Sequence, residues 1–222
     1  MLRWRNPEIG EVSPREFIPI AEHTGLIVPI GQFVVTEALH MAGKLRNEMG
    51  LPFTMAVNLS PRQFRDPKLV SFIEKSLKNA GIEGSSLELE ITEGVLMSGY
   101  AQIEDSLAIL SGMNIVIAMD DFGTGYSSLS YLRNYPFDVL KIDRVFVNDI
   151  TDDPADRELV SAAIAMGHSL GLKVVAEGVE TEAQCAILSS QGCDYGQGYL
   201  FSKPITPEEL EALIAKVNGR LV

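Results

Sequence analysis

The chain has 222 residues, is 46% hydrophobic, and carries 30 acidic against 18 basic residues, a net charge of −12 with a pI near 4.7. That size supports one sizeable core, and the acidic balance argues against docking on nucleic-acid polymers or acidic membranes, which takes basic patches. No apolar run approaches the ~18 residues of a membrane span. Met1-Leu2-Arg3-Trp4-Arg5 has no hydrophobic signal region behind its charges. Two cysteines, Cys185 and Cys193, are too few for a disulfide framework and form no zinc pattern. Reduced thiols in a cytoplasmic domain are therefore expected, with any membrane anchor left to other parts of a parent protein.

Helix and strand signals alternate along the chain. Cap residues followed by proline mark helix starts at Ser13-Pro14, Asp66-Pro67, Asp153-Pro154 and Thr206-Pro207. Ser13 with Glu16 and Thr206 with Glu209 also fit the capping box. Apolar runs of strand length lie between them: Thr54–Leu59, Leu87–Thr92, Asn114–Asp120, Asp138–Asp143, Leu172–Glu177 and roughly Tyr195–Phe201. Such alternation predicts a parallel sheet in an α/β fold. Asn58, Glu90, Asp120, Lys141, Glu177 and Gln197 each fall near the carboxyl end of a run. Convergence of six strand ends on one mouth is the arrangement of a (β/α)8 TIM-like barrel, and an open doubly wound sheet brings fewer strands together.

Asp120 and Asp121 form the centre of this pattern. Two adjacent acids stand where a strand breaks into Phe122-Gly123-Thr124-Gly125, a loop whose glycines let the backbone bend around a ligand. Oxygen donors of this kind suit Mg2+ or Mn2+, and neighbouring carboxylates need a cation to offset their repulsion. Each residue also has an ordinary reading. The aspartates could cap a helix; Glu88 and Glu90 could line a polar barrel interior; Lys141 could pair with Asp143 or with an acid across the barrel; Glu177 could cap a helix near Thr181; and Asn58 could brace a turn before Pro61. His23, His40 and His168 read as structural or surface residues, and Met113, Met119 and Met166 as core.

The motifs Asn58-Leu59-Ser60-Pro61-Arg62-Gln63-Phe64, Glu88-Leu89-Glu90-Ile91-Thr92-Glu93, Asp120–Gly125, Leu140-Lys141-Ile142-Asp143, Ala176-Glu177-Gly178-Val179-Glu180 and Gly196–Pro204 resemble, in order, those of EAL domains. These are bacterial phosphodiesterases of cyclic di-GMP, a second messenger tied to biofilm formation and motility. The resemblance runs over essentially the whole chain, from Leu2-Arg3-Trp4-Arg5 to Lys203-Pro204, and implies a single domain over 1–222. It implies that Asn58, Glu90, Asp120, Asp121 and Glu177 hold two Mg2+ or Mn2+ ions and that one 3′–5′ linkage opens to give linear pGpG. It further implies Lys141 as the group that orients water or meets charge at phosphorus, Glu177 as general base, and Gln197 near the water. Arg3, Gln63, Asp143 and Pro204 would contact substrate. Glu93 would order the loop Asp121–Ser128, including Gly123, Thr124 and Gly125, and Glu180, one helical turn beyond Glu177, would support it.

The resemblance also carries a departure. Met1-Leu2-Arg3-Trp4 aligns with the segment from the third residue of the family's name-giving Glu-Ala-Leu onward, so the motif's glutamate, a metal ligand, is absent, and with it the barrel's first strand. Counting the stub at Met1–Arg5 as a strand gives seven of eight. The expectation is a domain truncated at its N-terminus that is slow or inactive, whereas a version with the strand restored turns over. Two other readings are carried forward: a cyclic di-GMP receptor module without catalysis, and a Schiff-base aldolase using Lys141. The family also implies homodimers and upstream sensory or cyclase domains.

Overall fold

The computed structural model describes residues 2–49, 53–97, 102–123 and 129–218. The strands are β1 (Trp4–Asn6), β2 (Gly10–Val12), β3 (Met55–Asn58), β4 (Leu87–Thr92), β5 (Val116–Phe122), β6 (Val139–Ile142), β7 (Lys173–Glu177) and β8 (Tyr195–Gln197). Helices α1 (Pro14–Thr24), α2 (Ile27–Met49), α3 (Pro61–Phe64), α4 (Leu69–Ala80), α5 (Glu93–Met97), α6 (Gln102–Gly112), α7 (Leu129–Asn134), α8 (Arg144–Asn148), α9 (Pro154–Ser169), α10 (Glu182–Ser190) and α11 (Pro207–Asn218) complete the chain. Strands β3 to β8 pair in chain order, every neighbour parallel. This is the curled parallel sheet of a β/α barrel, with β3 and β8 at its two ends among the described residues.

Strand β4 shows why the sheet buries as it does. Leu87, Leu89 and Ile91 are wholly buried on one face and pack with Val35 and Leu39 of α2, Ile73 and Leu77 of α4, and Ile103, Leu107 and Leu110 of α6. Each such side chain contributes roughly 1.5–3 kcal/mol relative to exposure. Glu88 and Glu90 alternate onto the other face, the one left for polar groups. A second cluster joins Ile142, Val174 and Ala176 of β6 and β7 to Val147, Val160, Ile164 and Leu188. The methionines behave as expected: Met119 is buried, and Met113 and Met166 pack against the core.

The helix starts follow their cap chemistry. Ser13 and Glu16 form the capping box of α1, Asp153 accepts from the Ala155 amide at the start of α9, and Thr206 and Glu209 exchange bonds at the start of α11. Asp66-Pro67 differs. Asp66 takes the Lys68 and Leu69 amides into a preceding turn, and α4 begins only at Leu69. Its buried residues Leu69, Ile73 and Leu77 recur every fourth position, and Gly81 ends it at φ +66°.

The N-terminal stub is not a barrel strand. Residues of β1 pair antiparallel with β2 as a separate ribbon, with Trp4 opposite Val12. Local turn chemistry decides this: Asn6 Oδ1 accepts from the amides of Glu8 and Ile9, and Gly10 takes φ +80°. The ribbon is anchored by Trp4, whose ring meets that of Phe17 edge to face at 5.7 Å.

Candidate functional site

Pairing register sets the site across the carboxyl edge of the sheet. Asn58 pairs with Glu90, Thr92 with Asp120, and Glu177 with Gln197. Between β5 and β6, Met119 pairs with Leu140 and Phe122 with Ile142, so Asp120 and Asp121 together oppose the single residue Lys141. This β-bulge gives one strand an extra residue and re-aims its side chains. Asp121 absorbs it at φ +55°, a region Asp tolerates better than most residues. The aspartates therefore lie within β5, which runs on to Phe122, rather than at its end.

Lys141 is the hub. It is 3% exposed, and its Nζ binds Glu90 Oε1, reaches Glu177 Oε1 at 2.5 Å and lies 3.5 Å from Asp120 Oδ1. Burial alone lowers an ammonium's pKa, but Glu90, Asp120 and Glu177 outweigh it and hold Lys141 well above the ordinary lysine value. An amine so firmly protonated is unsuited to Schiff-base chemistry. Its partners are acids of three other strands, and Asp143 is not among the three. Glu90 also accepts from Asn58 Nδ2, and its carbonyl takes the Leu59 amide.

The surrounding acids are under electrostatic stress. Burial, then Asp120 and Asp143, push Asp121 up to about 6, and a side-chain hydrogen bond with Asp143 adds to this. Burial is also the largest influence raising Glu177, with Lys141 opposing it, and Glu88 is raised by burial and by Glu90. Glu90, Asp120, Asp121 and Glu177 thus set four carboxylates against one ammonium.

The donor set fits a hard divalent cation in its chemistry: carboxylate and amide oxygens from β3, β4, β5 and β7, with charge in excess of what Lys141 offsets. As the side chains stand, no three of the His, Cys, Asp and Glu residues described are grouped closely enough to hold an ion. They close on Lys141 instead.

The remaining expected residues divide. Asp143 caps α8 through the Val145 amide while touching Asp121. Gln197 is exposed on β8, its carbonyl taking the Val179 amide. Strand β8 ends there and not at Phe201, because Gly198 packs directly on the Val179 backbone, where a Cβ would meet the carbonyl oxygen at 2.1 Å. Pro204 is exposed in the segment beyond. Glu93 is buried at the start of α5, and Gly123 takes φ +96° against the Phe146 ring. Arg3 is exposed just before β1. Thr124 and Gly125 lie outside the described residues.

Two expectations change. Gln63 is 4% exposed, with Oε1 on the Ser60 amide and its amide group filling the space above Gly31; it serves the α3 cap. Glu180 is exposed and is not one helical turn past Glu177, because Gly178 at φ +73° turns the chain and α10 starts only at Glu182. One further residue stands out: Gln184, buried and bonded both to the loop before α10 and to the end of α8. Its signal was the capping box Thr181-x-x-Gln184.

A barrel sheet whose carboxyl edge gathers acids from several strands around a buried lysine defines a protein with a polar catalytic or ligand-binding mouth. The chain belongs to the EAL domain family, whose sequence profile matches residues 1–204. The bifunctional diguanylate cyclase/cyclic di-GMP phosphodiesterase MucR of Pseudomonas aeruginosa is 44% identical over 215 residues, 97% of this chain and 31% of its own length. Cyclic di-GMP phosphodiesterase PdeR of Escherichia coli is 38% identical over 205 residues, 92% of this chain and 31% of its own. Among solved structures, the PaMucR phosphodiesterase in complex with c-di-GMP superimposes with a TM-score of 0.87 at 44% identity, covering 95% of this chain and 85% of that one. The EAL enzyme Bd1971 gives 0.91 at 36% identity, covering 96% and 60%. The chain spans between 25% and 36% of the length of the curated relatives it matches.

Proposed function

We propose that this EAL domain hydrolyses cyclic di-GMP to linear pGpG with the help of two divalent ions, Mg2+ or Mn2+. The observation that carries the reading is the convergence of Glu90, Asp120 and Glu177 on Lys141, with Asn58 on Glu90 and Asp121 bulged out beside Asp120. Asn58, Glu90, Asp120, Asp121 and Glu177 would hold the ions, which when bound activate water and neutralise phosphodiester charge.

The chain's own groups have separable tasks. Lys141 fixes Glu90 and Glu177 relative to each other and offers fixed positive charge to the phosphorus-bound oxygens as charge develops. Glu177, its proton affinity raised by burial, takes the proton from the attacking water. Gln197, opposite Glu177 in the β7–β8 register, presents an amide to that water. Arg3 supplies a planar fork for a substrate phosphate, and Asp143 and Pro204 flank the bound nucleotide. Glu93 orders the chain after Asp121. The nucleotide would enter a domain of a cytoplasmic homodimer, downstream of sensory or cyclase domains. Among the described residues, no helix is long and apolar enough to cross a membrane.

The alternative reading is a receptor that binds cyclic di-GMP without turnover. Calorimetry of cyclic di-GMP binding in Ca2+, followed by chromatography of the products in Mn2+, separates the readings. Hydrolysis predicts pGpG in Mn2+ and its loss on chelation; binding alone predicts heat without product.

A further inference from the structure

The loop that follows Glu177 and the helix that follows Lys141 are tied by one side chain. Gln184, 6% exposed in the first turn of α10, accepts from the amides of Glu180 at 2.8 Å and Thr181 at 2.9 Å through Oε1. Its Nε2 donates to the carbonyls of Val147 at 3.2 Å and Asn148 at 3.1 Å. The first pair closes the loop leaving β7; the second reaches the end of α8, where the Val147 carbonyl also accepts from the amides of Asp149 and Ile150. All four bonds are buried or partly buried, where an unmade bond costs most.

The two segments also touch directly. Gly178 adopts φ +73° with its α-carbon so near Arg144 that a Cβ there would lie 2.4 Å from the Arg144 Cβ. Arg144 opens α8 directly after Asp143, and Gly178 directly follows Glu177. Upstream, Ile142 pairs with Ala176 across the β6–β7 ladder. The Lys141 to Glu177 contact of 2.5 Å is therefore bracketed, with the sheet ladder on one side and the Gln184 tie on the other.

We propose that Gln184 is a positioning residue for the reaction, setting Glu177 against Lys141 through the β7–α10 loop. The proposal rests on the hydrolytic reading for its kinetic consequence, although its structural content does not. A capping residue alone needs only the Oε1 half of the side chain. Positioning needs the Nε2 half as well, since only that half reaches α8.

Gln184→Glu separates the two roles. The carboxylate keeps acceptors for Glu180 and Thr181 but faces the Val147 and Asn148 carbonyls with no donor. Gln184→Ala removes both halves. The expected result is a kcat lower by about 10-fold or more in Gln184→Glu, with KM within about threefold, since a small misplacement of a reacting group has effects up to ~100-fold. The metal-free crystal structure of Gln184→Glu should show Glu177 Oε1 displaced beyond hydrogen-bond reach of Lys141 Nζ. A Gln184→Glu enzyme with wild-type kcat, or one whose kcat falls only with its folded fraction while the contact persists, would overturn the proposal. If the unaltered protein shows no turnover, the hydrolytic reading fails by itself. The variant's crystal structure still decides the role of Gln184.

Discussion

The backbone amide of Asp121 donates to Oδ1 of Asp120 at 3.0 Å, and the pair stands opposite the single residue Lys141 across the β5–β6 ladder. One inserted residue thus gives the site two carboxylates where a regular strand would present one per face. The conformation it forces on Asp121, φ +55°, is one that Asn also visits and Ala does not favour. Asp121→Asn should leave stability nearly unchanged, whereas Asp121→Ala should lose about 1 kcal/mol from backbone strain. Both should lower turnover by at least ~100-fold, the upper range for residues that only support a metal ligand. Denaturant unfolding beside product chromatography checks both halves.

Removing the hub should expose the repulsion it offsets. Lys141→Met keeps the bulk but leaves Glu90, Asp120 and Glu177 facing one another without a cation. Breaking a buried ion pair from one side costs about 3–5 kcal/mol, and a loss in that range is expected in metal-free buffer. Millimolar Mn2+ should recover part of it in Lys141→Met, more than it adds to the unaltered protein. Thermal unfolding with and without the metal provides the comparison.

How much of this arrangement was legible beforehand depended on the range of the interactions. Strand β4 is read directly from Leu87, Leu89 and Ile91, because a period of two is local. The strand-end acids were legible for the same reason, together with the order of their motifs. The bulge at Asp120 and Asp121 was not, since register is a property of two strands, and neither were the partners of Lys141, which come from β4, β5 and β7. The ribbon at Trp4–Val12 was missed although Asn6 and Gly10 carried its turn chemistry. Motif order assigns the stub to the barrel, whereas the turn after Asn6 folds it back on Gly10–Val12. The Thr181-x-x-Gln184 box is a local signal, but the reach of Gln184 to Val147 and Asn148 is not.

The amino edge of β7 should carry a measurable share of acid stability. Burial tends to raise Asp194, but hydrogen bonds from Lys173 Nζ, the Val174 amide and His168 Nε2 prevail and hold it well below the ordinary 3.8. A carboxylate more acidic in the folded state than in the unfolded one contributes stability above the unfolded value, and that contribution disappears as pH falls below it. Between pH 6 and pH 3, Asp194→Asn should therefore lose less stability than the unaltered chain, although it starts lower. Parallel denaturant titrations at the two pH values supply the slopes.

Gly178 offers a test of the loop geometry itself. Alanine there must hold φ +73° and place Cβ where Arg144 already sits. The left-handed conformation alone costs about 1–2 kcal/mol, and the displaced loop carries Glu177 with it. Gly178→Ala should lose more than that amount in stability and most of its turnover. Gly81→Ala, also at positive φ but with open space around its Cβ, should show the stability loss without the loss of turnover.

The central claim is that these carboxylates hold divalent ions for phosphodiester hydrolysis. Single-turnover chromatography with protein in excess over cyclic di-GMP, in Mn2+ and then in chelator, tests it most directly, because slow turnover remains visible. The account predicts pGpG in Mn2+, none in chelator, and none from Asp120→Asn in either. Fully bound cyclic di-GMP recovered intact in both Mn2+ and Mg2+ would contradict it.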